Sequence, residues 1–141
     1  MGKINMGRVI LGGLVAGIVS DILGYLVDGV WLAPRWDFGM KALGLSSFSV
    51  KQLIGFNLVG IVAGLVAVWL YAAIRPRFGA GMRTAIIAGI AAWTLGSLLP
   101  NIAFMRLAHL FSHRLTLYTT LGALVETVVG TIAGAALYKE D

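Results

Sequence analysis

The chain contains no cysteine. That absence removes disulfides, thiolate chemistry, cysteine-ligated zinc, iron–sulfur clusters and c-type haem attachment together. Charge is also scarce, at 12% of the 141 residues, against roughly 25% in soluble domains. Proline occurs 3 times, and the 19 glycines follow no collagen-like or low-complexity period. Glycine therefore serves something other than disorder, and close helix packing is the reading that fits. Soluble-enzyme signatures are missing as well: no phosphate loop ending in Lys-Ser/Thr, no nucleophile elbow and no His-Glu-x-x-His. The one dinucleotide-like run, Gly12-Gly13-Leu-Val-Ala-Gly17, falls inside an apolar stretch rather than at a strand-to-helix turn. No enzyme and no cofactor is expected.

What the chain has in abundance is apolar length. Hydrophobic residues make up 59% of it, and the mean hydropathy is +0.91. Four segments, 9–30, 53–74, 84–104 and 115–138, are each long enough for a helix to cross about 30 Å of hydrocarbon at 1.5 Å per residue. Bare backbone has no partner in lipid, so helices are required. The expectation is an all-α integral membrane four-helix bundle forming one transmembrane domain. The first segment is too long for a signal peptide and lacks a small-x-small cleavage site, so it is read as a retained span.

The net charge is +5, but the basic residues are spread over segment ends rather than gathered in one patch. They mark span boundaries, and no nucleic-acid partner is expected. Termini in the cytoplasm put Lys3, Arg8, Arg75, Arg77, Arg83 and Lys139 inside, and Arg35, Lys41, Lys51, Arg106 and Arg114 outside. The short RPRFGAGMR connection, with three arginines between two spans, favours that orientation because short loops dominate the positive-inside rule. Trp31, Trp36 and Tyr118 would form one interfacial belt, and Trp69, Tyr71 and Tyr138 the other.

Polar residues within the spans fall on small-residue stripes. Gly13, Gly17, Asp21, Gly24 and Asp28 recur at steps of three and four, which places them along one helical face. Asn57, Gly60 and Gly64 do the same in the second span, and Gly122, Glu126, Gly130 and Gly134 in the fourth. The third span offers Asn101 near Pro100. The segments Asn57-Leu-Val-Gly-Ile-Val-Ala-Gly64 and Thr127-Val-Val-Gly-Thr-Ile-Ala-Gly134 are alike, which suggests two tandem helical hairpins related by an axis along the membrane normal.

Small residues four apart let helix backbones approach, which explains the glycines. The carboxylates need more explanation. An ionised Asp at mid-span costs about 2.5–3.5 kcal/mol on insertion scales, so Asp21 and Glu126 must be protonated or partnered. Three roles remain open: a hydrogen-bonded packing network with Asn57, Thr94, Ser97 or Thr127, a proton or cation relay, or pairing with a basic group on another subunit. Asp28, near the far interface, would meet water or Arg35. Steps of three and four put Arg106, His109 and His113 on one basic interfacial face suited to headgroups. Two imidazoles without a third convergent ligand do not make a metal site, and none is expected.

Trp31-Leu-Ala-Pro34, followed by Phe38-Gly39, Lys41 and Gly44, resembles the loop after the first span in an uncharacterised family of bacterial four-span membrane proteins, with Leu32 where the family carries Tyr. The resemblance implies a four-span protein of the bacterial cytoplasmic membrane and names no catalytic residue. Read from the residues alone, Pro34 should end the first span, Ser49 should cap the second, and the long intervening loop suits a re-entrant or surface-lying piece. Two functions fit: assembly through helix packing, as a homo-oligomer or as an accessory subunit of a larger membrane complex, and a small proton- or cation-coupled transporter or channel using the intramembrane carboxylates.

Overall fold

The computed structural model describes residues 3–140 and is all-α. Four helical stretches are long and apolar enough to cross a bilayer: Met6–Trp31, Val50–Phe78, Met82–Leu107 and His113–Ala135. The five α-helices are α1 (Met6–Gly24), α2 (Ala33–Ala42), α3 (Val50–Phe78), α4 (Met82–Trp93) and α5 (His113–Ala135), of which α2 lies between the first two spans. The first and third spans are completed by wider turns, Tyr25–Trp31 and then Thr94–Leu98 with Asn101–Leu107. There the hydrogen bonds reach back five residues, as in Leu32 N–H to Val27 C=O at 2.8 Å and Ala108 N–H to Ala103 C=O at 3.1 Å.

Each boundary has a local cause. Asn5 caps α1 by accepting from the Arg8 amide. Ser49 caps α3 in a full capping box, with its hydroxyl accepting from Gln52 N–H and the Gln52 side chain accepting from Ser49 N–H. The span ends differ from hydropathy because caps set them: α3 starts at Val50 rather than 53 and runs through Pro76 to Phe78, while α5 starts at His113 and stops at Ala135 instead of reaching Tyr138. Gly79 and Gly81, at φ 85° and 117°, make the turn between α3 and α4. Pro34 does not end the first span. The break is at Leu32, and Pro34 sits in the first turn of α2, where its missing N–H costs nothing. The loop between the first two spans therefore holds this ten-residue helix.

Neighbours in sequence are neighbours in space. The contacts run α1 to α3, α3 to α4, α4 to α5 and α5 back to α1, with the α3–α5 diagonal closer than the other. Such a bundle normally hides its large apolar side chains, and this one does the reverse. Its buried set is largely Ala, Gly and Thr, while Ile10, Ile18, Leu58, Val59, Val66 and Leu95 lie exposed. In water that surface would be untenable, and against lipid tails it is at rest. The buried threonines carry their own partners: Thr116, Thr120 and Thr131 donate to the carbonyls of Ser112, Thr116 and Thr127 at 3.0, 2.6 and 2.6 Å.

α1 is the helix on which the others close. A methyl placed on Gly13 would stand 2.6 Å from Leu65 Cα, and one on Gly17 would stand 2.6 Å from Ile61 Cα. On the α5 side, Gly12 and Gly134 each face the other's carbonyl oxygen, and Gly130 lies against Ala16 C=O and Ser20 Oγ. Gly64 touches the backbone of both Gly13 and Gly17. The like segments of the second and fourth spans thus pack on opposite flanks of the same helix.

A second feature closes the end of the bundle that holds both termini. Tyr71 and Tyr138 meet edge to face with centroids 5.9 Å apart, and the Arg75 guanidinium lies 5.6 Å from the Tyr138 ring centroid. Arg75 pairs with Glu140 at 3.2 Å, and Tyr138 Oη accepts from Asn5 N–H at 3.3 Å. At the opposite end Leu32, Met105 and Leu115 are buried with Val27, Trp36, Phe111 and Tyr118 packed on them, which joins the first span, the third span and α5, while α3 stands apart. Along α1, α3 and α4 the buried residues lie only on the termini side, at 9–17, 64–72 and 84–89, and every residue from 50 to 59 is exposed.

The glycines should therefore separate into two classes. Gly64→Ala and Gly134→Ala force helices apart and should each cost about 1–3 kcal/mol. Gly55→Ala and Gly96→Ala enter open space and should be neutral or stabilise by up to about 1 kcal/mol through helix propensity. Unfolding of the four variants in detergent micelles checks the split.

Candidate functional site

The carboxylates lie just beyond the glycine crossings of α1. α1 passes between α3 and α5 with glycine on both flanks, so the first polar side chains beyond the tight contact fall at the same level. Asp21 is directed at α3, where Oδ1 lies against Gly60. Glu126 is directed at α1 from α5, with Oε2 against Gly24. Gly24, one turn beyond Asp21 on α1, leaves the room that Glu126 occupies.

The stripe predicted for the first span is therefore split between two neighbours. Gly13, Gly17 and Asp21 meet α3, whereas Gly24 and Asp28 turn to α5. The division already falls between Asp21 and Gly24, and the helix widens only beyond it, over Tyr25–Trp31. Gly122, Glu126, Gly130 and Gly134 all meet the first span, at Val27, Gly24, Ala16 with Ser20, and Gly12. Ser20 Oγ adds a bond to the Glu126 carbonyl at 3.0 Å.

Asp28 differs in kind from the other two. Its Oδ1 accepts from Trp36 Nε1 at 2.9 Å and from Thr119 Oγ1 at 2.7 Å. It ties α2 and α5 to the end of the first span, and it does so without Arg35, which lies 5.2 Å from the centroid of the Tyr118 ring instead. Trp36 also packs on Phe48 and Phe111, at 6.1 and 5.2 Å, and Phe48 on Phe56 at 5.2 Å. This aromatic chain joins the start of α3 to α2 and to the approach to α5. Sequence reading missed Trp36 and Thr119 as partners of Asp28. The only available signal was the cluster of Thr116, Thr119 and Thr120 inside an apolar span, with the indole across Pro34.

No hydrogen bond among the described residues reaches the Asp21 carboxylate, and Glu126 Oε1 is fully buried without a partner. The donors expected for them are turned elsewhere. Asn57 is exposed and gives its amide to Leu53 C=O at 2.7 Å, and Thr94 donates to Ile90 C=O at 2.8 Å. Asn101 donates to Thr120 Oγ1 at 2.9 Å, and Trp93 Nε1 to Thr120 C=O at 2.9 Å, so both fasten the third span to α5.

The continuous helix on which Arg106, His109 and His113 would share a face is interrupted between them. Helical structure ends at Leu107, His109 takes φ 54°, and His113 opens α5 after the Ser112 cap. The three side chains belong to two helices and the turn between them, so spacings of three and four do not place them on one surface. Among the described residues, no group of three or more His, Asp or Glu is placed to hold a metal ion.

Removing the Asp28 carboxylate strands the Trp36 indole and the Thr119 hydroxyl. In Asp28→Ala, amide exchange over Ala33–Ala42 should accelerate about tenfold or more, the equivalent of roughly 1.4 kcal/mol of lost protection. Asp37→Ala, which loses only an exposed bond to Ser47, should leave it unchanged. Comparison with known proteins adds nothing to this geometry: no family model, no curated protein and no solved structure matches the chain.

Proposed function

We propose that this small polytopic membrane protein works by assembly rather than by catalysis, as a homo-oligomer or as an accessory subunit of a larger membrane complex. The observation that carries this reading is the stretch 50–59 of α3. All ten residues are exposed, and they stand beside the level at which Asp21 and Glu126 lie without hydrogen-bond partners. A bundle in which one helix stands exposed beside intramembrane carboxylates is completed most economically by another helix. The bilayer itself is the second partner, met by the exposed Leu, Ile and Val of all four spans. The resemblance of the loop after the first span supports a bacterial cytoplasmic membrane, and the arginines of 75–83 support cytoplasmic termini.

A second reading is a proton- or cation-coupled transporter or channel with Asp21 and Glu126 on the route and Asn57 and Asn101 beside it. It is favoured by the buried, unpartnered Glu126 Oε1 and disfavoured because no three acidic or imidazole groups among the described residues converge on one point.

Extraction of the full chain into native lipid discs, followed by mass spectrometry of the intact particles, tests the assembly reading. The expected result is a fixed stoichiometry above one, of this chain or with a second membrane chain. A monomer at every lipid-to-protein ratio would refute assembly. Loss of ion flux in folded Asp21→Asn and Glu126→Gln variants would then establish the second reading.

A further inference from the structure

The assembly reading leaves the occupant of the open face unnamed, and the geometry points to a transmembrane helix of a different chain carrying a lysine or arginine near its midpoint, which pairs with Asp21 and Glu126 beside residues 50–59 of α3. The inference rests on assembly and adds the chemistry of the contact. Three carboxylates lie within the spans, and one of them, Asp28, is already served by Trp36 and Thr119. Glu126 lies against Gly24 and Asp21 against Gly60, with no hydrogen bond to either carboxylate among the described residues, and Glu126 Oε1 is fully buried. No cation among the described residues pairs with them. The single ion pair described, Arg75 to Glu140, is at the closed end, and every Lys and Arg lies at or beyond a span end.

A second copy does not answer the charge. It brings the same acids to the same depth, and its basic residue nearest in sequence to either acid, Arg114, is twelve residues from Glu126, roughly 18 Å along a helix. A bare cation is a poor fit too, because no three acidic or imidazole groups among the described residues converge on one point, and ions held without water need several oxygens at once. A long basic side chain needs only one reach. A helix lying along α3 beyond Gly60 meets ten exposed residues, about 15 Å of rise, including Gly55 with open space around it and Asn57 one turn from Gly60. It can then extend its cation past Gly60 toward the pair. Charge complementarity at mid-membrane selects its partner strongly, because each side is costly alone.

The test uses the full chain reconstituted in phosphatidylcholine vesicles, labelled through Lys3→Cys, the chain having no cysteine of its own. The probe is a synthetic 24-residue Leu/Ala transmembrane helix, a length of about 36 Å, with one central Arg, compared with the same helix carrying Leu there. Energy transfer should report the Arg helix binding at least tenfold more tightly than the Leu helix. The preference should vanish in the double variant Asp21→Asn/Glu126→Gln, which keeps the shape and removes the charge, and persist in Asp37→Asn and in Asp21→Glu. Circular dichroism and the thermal midpoint establish that each variant is folded, and the single variants replace the double if it is not. Equal binding of the two helices, or a preference that survives loss of both carboxylates, overturns the proposal. So does displacement of the Arg helix by sodium or potassium chloride with the Leu helix unaffected, which would make the pair a cation site. Self-association of the chain that excludes the Arg helix assigns the face to a second copy and overturns it as well. If native discs hold a stoichiometric second chain whose recovery is indifferent to the double variant, assembly stands and the charge pairing falls. A monomer throughout removes both.

Discussion

The structure depends on how closely α1 lets two other helices approach it. In a bilayer there is no hydrophobic gain from pressing one apolar helix on another, since lipid tails are as apolar as the side chains they would replace. Cohesion must come from dispersion between well-fitted surfaces, at about 0.1–0.2 kcal/mol per atom pair, and from polar contacts that lipid cannot offer. Backbone atoms pack densely only where no Cβ intervenes. Gly12, Gly13, Gly17, Gly64, Gly130 and Gly134 remove it at the crossings, and a methyl on any of them would meet backbone or Cα atoms of a facing helix. The inverted distribution of residue sizes, with Ala and Thr inside and Leu, Ile and Val outside, follows from the same requirement.

Close approach at one end dictates divergence at the other. Straight helices that cross at small residues separate away from the crossing, and here the separation is taken up in the wide turns of the first and third spans and in the standing-off of α3 at 50–59. At the closed end, the Tyr71, Tyr138, Arg75 and Glu140 cluster joins helix ends, and Tyr138 is also bonded to Asn5, 133 residues away in sequence. At the opposite end, Asp28 holds Trp36 and Thr119, and the aromatic chain from Phe56 to Phe111 holds the loops. The two ends are thus fastened by different chemistry, and the region between them is where Asp21 and Glu126 lie.

Much of this was legible in the sequence because hydropathy and length alone decide whether a segment can cross a membrane. Four spans, an all-α bundle and the Ser49 cap all follow from residues adjacent in the chain. What was not legible depends on phase or on distant partners. The stripe from Gly13 to Asp28 assumes one neighbour along the whole face, and that face turns from α3 to α5 between Asp21 and Gly24. The shared face of Arg106, His109 and His113 presumes a continuous helix, and a turn at His109 interrupts it. Pro34 shows the ambiguity of proline, which marks a helix end or a helix start with equal force until the residues after it are placed. Asp28 could not be matched with Thr119, 91 residues on, by any local rule.

The three intramembrane acids show why position, not residue type, decides what a carboxylate does. Asp28 is next to the interface, where a tryptophan and a threonine can be brought to it from α2 and from the first turns of α5, and neutral donors suffice there. Asp21 and Glu126 sit deeper, at a level where α1 presents glycine to make room and the surrounding hydroxyl and amide groups are committed to their own helices: Thr131 to Thr127, Thr94 to Ile90 and Asn57 to Leu53. Satisfying the deeper pair from within this chain would require a donor on α3 near Gly60, but that position must stay without a side chain because Asp21 fills the space. The close packing that stabilises the bundle therefore denies the deep acids an internal hydrogen-bond partner among the described residues and leaves α3 exposed over 50–59 beside them. Packing and charge lead to the same place: an acid at this depth is either held neutral or met by a donor, and the proposed basic helix is the donor that the exposed stretch of α3 has room for.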